Sequence, residues 1–204
     1  MLLLNKDYKI IDKLDFRNNR LDLIVSYFLR IIGLFVFGAI FYWVYTTLFG
    51  DVPFLTLLNI EINNVPPIIS IALLMIDIVF ILYLHEMIHA TVFYFTHKQK
   101  PIIGIKGFVF FAAAPEQILS KREVIVNAIA PLIVITVIGL MMLSQVSISS
   151  ASWVFLPILI NAAASGGDLM TVYFVLKQKD KTLFNDIGDI IYALEFNTKR
   201  KGEK

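Results

Sequence analysis

The chain has 204 residues, of which 58% are hydrophobic and 17% charged, against roughly 45–50% and 25% in soluble domains. A single domain of this size cannot hide so much apolar side chain from water, and 17 Phe with long Ile/Leu runs exclude disordered, collagen-like and coiled-coil chains. The absence of cysteine excludes disulfides and thiolate metal sites, leaving His, Asp and Glu as metal ligands. A net charge of +2 gives no reason to expect a nucleic-acid partner. The expected solvent is therefore a lipid bilayer.

The N-terminal tail, residues 1–20, carries Lys6, Lys9, Lys13, Arg17 and Arg20. The apolar run at residues 1–4 is too short for a cleavable signal peptide, so the first span is read as retained. Four stretches, about 24–49, 66–95, 124–143 and 152–176, reach the roughly 20 apolar residues that a membrane helix needs. The predicted fold is an all-α membrane protein of four transmembrane helices, forming one integral domain over residues 1–204. Arg30 interrupts the first span near its start and is expected to snorkel towards the nearer surface.

The basic residues set an orientation. Residues 50–65 and 144–151 contain no Lys or Arg. The second connection holds Lys98, Lys100, Lys106, Lys121 and Arg122, and the tail 177–204 holds Lys177, Lys179, Lys181, Lys199, Arg200, Lys201 and Lys204. Every basic residue except Arg30 therefore falls on one side, which places both termini in the cytoplasm. Trp43 and Trp153 suit anchoring at the outer interface.

Between the second and third spans, residues 102–105 and 108–114 form two short β-prone runs around Lys106-Gly107, punctuated by Gly104 and Pro115. They predict a small β-hairpin or a re-entrant strand pair at the cytoplasmic face. In the C-terminal tail, Leu183-Phe184, Ile190-Ile191 and Leu194 alternate with Asp186 and Asp189, a pattern expected to form an interfacial helix over residues 182–195.

The second span contains His85-Glu86-Met87-Ile88-His89, the His-Glu-x-x-His pattern of zinc peptidases. On a helix the two imidazoles lie about 40° apart and one turn from each other, within reach of one ion. Glu86 flanks that ion, placed to take a proton from its water. Three ionisable groups inside a span are costly unless they face a cavity, a partner or an ion.

Catalytic zinc takes three protein ligands and one water. His97, about 12 Å beyond His89 on the same helix, is too far, and Asp77, eight residues before His85 and about 80° round the helix, is excluded as well. Asp168 precedes Lys177 by the same nine residues that separate His89 from Lys98, so both groups lie about 13 Å from the same boundary. Asp168 is the expected third ligand. Ser165-Gly166-Gly167 just before it permits close helix approach or local unwinding. Asn161 lies near the Asp168 face, to hydrogen-bond either a substrate backbone or another helix. Asn127 either orients a group near the site or only pairs helices.

These residues resemble the site-2 protease-type intramembrane zinc peptidases, and more closely a family of "putative zincin" membrane peptidases related to them. The resemblance runs from about Leu82 to Thr171. It rests on His85-Glu86-x-x-His89, on Pro115, Arg122 and Asn127-Ala128-Ile129-Ala130-Pro131, and on Asn161 through Gly167-Asp168. Site-2 proteases place their third ligand in an Asn-containing motif ending Leu-Asp-Gly. Here the order is Gly167-Asp168-Leu169, and there is no inserted PDZ-like domain.

The resemblance implies a membrane-embedded zinc metalloendopeptidase in a bacterial or archaeal plasma membrane. It implies Zn2+ on His85, His89 and Asp168, Glu86 as general base, and membrane proteins or peptides as substrates. A membrane helix must unwind before it is cut, and residues 108–114, with Phe108, Val109 and Phe110 foremost, offer a strand edge to hold it. Two other readings use the same motif. One is a membrane zinc peptidase of the HtpX/Ste24 type acting on cytoplasmic segments, whose third ligand is a downstream Glu. The other is a non-catalytic metal-binding membrane protein.

Overall fold

The computed structural model describes residues 8–106 and 109–197. In chain order these form β1 (Tyr8–Asp15), α1 (Arg20–Phe49), α2 (Pro67–His97), β2 (Ile102–Lys106), β3 (Val109–Ala113) and β4 (Leu119–Ser120). Then follow α3 (Lys121–Leu143), α4 (Ser152–Ala164), α5 (Gly166–Lys177), β5 (Leu183–Asp186) and β6 (Ile190–Phe196). Four helical stretches are long and apolar enough to cross a membrane, the last being α4 and α5 together. In their most apolar windows only 11% of α1 and 6% of α2 is buried inside the chain. Apolar surface of that extent is not left to water in a monomer.

Helix ends follow local chemistry. Asn19 Oδ1 accepts the Leu21 N–H at 3.0 Å and starts α1. Pro67 opens α2, where a missing N–H costs nothing. Lys98, at φ +56°, ends α2 with its N–H on Tyr94 O at 2.7 Å. Ser120 and Glu123 form a capping box at the head of α3: Glu123 Oε2 accepts the Ser120 N–H at 2.7 Å, and Ser120 Oγ accepts the Glu123 N–H at 3.4 Å.

The contacts divide the chain into two compact units. One holds the N-terminal residues through Ser26, Glu86–Ala130, and the chain from Asp168 onward; the other holds Tyr27–His85 and Pro131–Gly167. The first unit is built on a four-stranded antiparallel sheet in the order β1-β6-β5-β4, with the hairpin β2-β3 beside it. Its core includes Leu14, Leu119, Phe184, Ala193 and Leu194. The Ala114 N–H donates to Asp186 O at 3.1 Å, tying the end of the hairpin to β5. Buried Asp15 closes the β1-α1 turn by accepting the Arg17 and Asn18 N–H groups, and Lys13 Nζ approaches it at 2.8 Å. The Lys13 ammonium, helped by the two N–H donors, holds the Asp15 carboxyl well below the usual carboxylate range.

The second unit is helical. Phe41 meets Phe155 edge-on at 6.5 Å, and Tyr45, Leu57 and Leu143 are wholly buried. Small residues let its helices approach: Gly33 lies against Ala162 and Ala163, and Gly139 against Ile158. The closest approach to another helix's backbone is at Gly166. A Cβ there would stand 2.6 Å from Arg30 N and 2.7 Å from Arg30 Cγ, so only glycine fits.

The hairpin between the second and third long helices is as predicted, but three expectations are corrected. The chain is not all-α, because the tails carry β1, β5 and β6. Residues 182–195 do not form an interfacial helix: their aromatic and β-branched residues flank a tight turn at Gly188 (φ +92°) and pair as β5 and β6. The stretch 152–176 is not one unbroken helix, since Ser165 (ψ 0°) interrupts it between α4 and α5. Helices α1 and α3 also begin earlier than hydropathy suggested, because helix continues past the apolar run into charged turns.

Candidate metal centre

Helix α2 presents His85 and His89 one turn apart, both buried. His89 Nδ1 lies 3.0 Å from Asn127 O and 2.9 Å from Asn127 Oδ1. The main-chain oxygen can only accept, so Nδ1 carries the proton and Nε2 is left to face an ion. Asn127 Nδ2 in turn donates to His89 O at 2.9 Å, which fixes the amide orientation. His85 Nδ1 lies 2.9 Å from Asn161 Oδ1, and Asn161 is fully buried in α4. Both histidines thus have the outer hydrogen bonds typical of metal-ligating imidazoles.

Asp168 stands in the first turn of α5, just past the Ser165 break. Its Oδ1 is 3.4 Å from His89 Nε2. That spacing matches the edge of a tetrahedron whose ligands sit about 2.1 Å from zinc, near 3.4 Å. One ligand atom each from His85, His89 and Asp168 lies within 4.8 Å of the others. Two imidazole nitrogens and a carboxylate form a donor set suited to zinc, with a fourth position left for water. His85, His89 and Asp168 could therefore hold a zinc ion.

Glu86 adjoins the group. Its Oε2 accepts the Ala112 N–H from β3 at 2.9 Å. Strand β3 pairs with β2 along its other edge, so the edge that holds Glu86 is the one turned away from β2. Ala112, Ala113 and Ala114 are buried, and their small side chains let the strand backbone come close to α2.

The structure separates the remaining candidates. Asp77 and His97 lie outside the three-ligand group; His97 Nε2 is instead 3.8 Å from Glu123. Asn161 contacts His85, while its Nδ2 is buried without a hydrogen-bond partner among the described residues. Val109 and Phe110 belong to β3, and Phe108 lies outside the described residues.

One residue near the site was missed. Asp186, at the end of β5, has its carboxyl pushed up to about 7, chiefly by loss of solvent, with the charges of Asp168 and Glu86 adding to the rise. The Gly188 N–H opposes the shift by donating to Asp186 Oδ1 at 2.7 Å. The apolar pairs on either side of Gly188 were the available signal, but a helical reading of them hid it.

No curated protein and no solved structure matches the chain. A family model described as "Putative zincin peptidase" (DUF3267) matches residues 78–184, just over half of the chain, and that range includes His85, Glu86, His89, Asn127, Asn161 and Asp168. The chain belongs to this zincin peptidase family.

Proposed function

We propose that the protein is a membrane-embedded zinc endopeptidase related to the site-2 proteases, hydrolysing peptide bonds of membrane proteins or membrane-bound peptides. The observation that carries this reading is Glu86, a carboxylate beside three metal-competent side chains and hydrogen-bonded to the edge of β3. Four helices long and apolar enough to cross a membrane support the bilayer as solvent, and the one-sided basic residues support cytoplasmic termini. Asp168 in the ligand group favours this reading over the HtpX/Ste24 type, which draws its third ligand from a glutamate.

His85, His89 and Asp168 would hold the ion, which when bound supplies Lewis-acid polarisation of the scissile carbonyl and acidifies its water. Asn161 and Asn127 keep the two imidazoles turned towards it. Glu86 takes a proton from the attacking water and returns it to the leaving amine. The Ala112 N–H keeps that carboxylate aimed until substrate arrives. An unwound substrate segment is held by adding a strand to the β3 edge turned away from β2. Its carbonyls then compete with Glu86 for the Ala112 N–H.

The test compares purified wild type with Glu86→Gln in detergent. Zinc stoichiometry should be unchanged while cleavage of a membrane peptide falls by at least about 100-fold, the scale of a general base. Equal cleavage by both forms would reject the mechanism. A strand-edge test is separate: proline placed along 109–113 should cut cleavage, and uniform activity across the scan would remove the strand-addition step.

A further inference from the structure

The two loops that hold no lysine or arginine, residues 50–65 and 144–151, both belong to the helical unit and form a cavity of about 370 Å3 there. Its lining includes Asn59 and Glu61 from the first loop, Ser149 and Ser150 from the second, and Trp153 in the first turn of α4. The walls are held by packing. Leu57 is wholly buried, the Phe54 ring meets Phe155 edge-on at 6.4 Å, and Ser152 Oγ donates to Asn59 O. The Tyr42 hydroxyl donates to Val52 O at 3.1 Å and ties the first loop to α1. The volume falls in the roughly 300–1,000 Å3 range of small-molecule sites and far exceeds what a bare cation fills.

The hydrogen bonds already made decide what the cavity offers. Asn59 Oδ1 accepts the Glu61 N–H at 3.0 Å, so Nδ2 is the end of that amide left to donate. Ser147 Oγ donates to Ser150 Oγ at 3.2 Å and, having a single proton, accepts from Ser149 Oγ at 2.9 Å. The Ser150 proton is then left to donate. Glu61 brings the one charge of the lining, and its side chain is open to solvent. Neither loop supplies a cation to pair with it. Trp153, half-buried, adds an indole ring. A carboxylate and an indole suit an ammonium, and uncharged amide and hydroxyl donors suit a phosphate whose charge is already balanced.

We propose that this cavity binds the headgroup of a zwitterionic aminophospholipid. Glu61 and Trp153 take the ammonium, and Asn59 Nδ2 and the Ser150 hydroxyl take the phosphate. The cavity lies where α4 begins and where the chain leaves α1 and approaches α2, at the helix ends, the level at which headgroups meet a spanning protein. A peptide amine would leave the phosphate donors unused, and an anionic headgroup would bring a net negative charge to Glu61 with no cation to offset it. The inference rests on the bilayer reading of the four helices and is independent of the peptidase chemistry.

The test uses full-length protein in a maltoside detergent with Trp43→Phe, which leaves Trp153 as the sole tryptophan. Three probes are titrated against its emission: a short-chain phosphatidylethanolamine, a phosphatidylglycerol with the same chains, and a capped peptide with one lysine. The ethanolamine lipid should shift the emission saturably and bind at least about tenfold more tightly than either of the others. Glu61→Gln should bring the two lipids to equal affinity. Equal binding of the two lipids before that substitution would overturn the proposal, as would a preference that survives it undiminished. A lysine peptide binding as tightly as the ethanolamine lipid would overturn the phospholipid assignment. If Trp43→Phe does not fold, mass spectrometry of lipids retained by wild type and by Glu61→Gln replaces the titration, and an identical ethanolamine-to-glycerol ratio in both would overturn the proposal. Failure of the bilayer reading looks different: a chain that stays soluble and folded without detergent would remove that reading and this proposal together.

Discussion

Replacing Asn127 by alanine asks whether its side chain orients a zinc ligand or only joins two helices. The substitution removes two hydrogen bonds, Oδ1 with His89 Nδ1 and Nδ2 with His89 O, both 2.9 Å. At about 1 kcal/mol for each neutral buried bond, the expected loss of stability is about 2 kcal/mol. The main-chain Asn127 O remains 3.0 Å from His89 Nδ1, so the tautomer survives and only the ring's orientation loosens. Outer hydrogen bonds of this kind contribute about 10- to 100-fold in metal affinity, and with half of the contact kept the loss should be near tenfold. Competition with a chromophoric zinc chelator reads that directly, and thermal unfolding of the zinc-free protein reads the stability. Thr136→Val is the control on the same helix, since its buried hydroxyl has no partner among the described residues. Unchanged zinc affinity with the full loss of stability would refute the orienting role and leave Asn127 as a helix-pairing residue.

Asp168→Ala should abolish stoichiometric zinc binding and Asp77→Ala should not, measured by metal analysis after gel filtration; the reverse pattern would overturn the ligand assignment. Gly166→Ala should lower the thermal midpoint, because its Cβ meets Arg30 backbone atoms at 2.6 and 2.9 Å. Overpacking of that kind costs about 1–3 kcal/mol, and an unchanged midpoint would show that α1 moves freely. Asp15, whose carboxyl is held low by Lys13, gives stability that is complete above its ordinary value of 3.8 and is lost as pH falls below it. Unfolding between pH 5 and pH 2 should therefore show a slope that Asp15→Asn removes, seen by circular dichroism. An identical slope in both proteins would place the acid sensitivity elsewhere.

The sequence by itself determined what depends on local spacing and on the solvent. Four apolar runs emerge as helices long enough to cross a membrane, the form in which backbone groups satisfy one another without water. His85 and His89 face one way because four residues make about one helical turn. Asp168 could be matched to them because two helices reaching the same boundary place equally distant residues at equal depth.

What only the tertiary structure decided are pairings between distant segments. A β-prone tail reads the same whether it lies on a membrane as a helix or pairs with β1, and the partner strand is about 180 residues away, as with Tyr8 opposite Phe196. That pairing brought Asp186 close enough to Asp168 and Glu86 to feel their charges. The hydrogen bonds that aim the imidazoles come from Asn127 and Asn161, residues whose type is common at helix contacts and whose role is set by what they face. Arg30 could be counted as a lone charge in an apolar run, but its fit against Gly166 and Gly167 exists only once two helices cross. Composition fixed the apolar character of the four long helices and spacing fixed one helical face of the candidate site, whereas the rest depends on contacts between segments that no local pattern encodes.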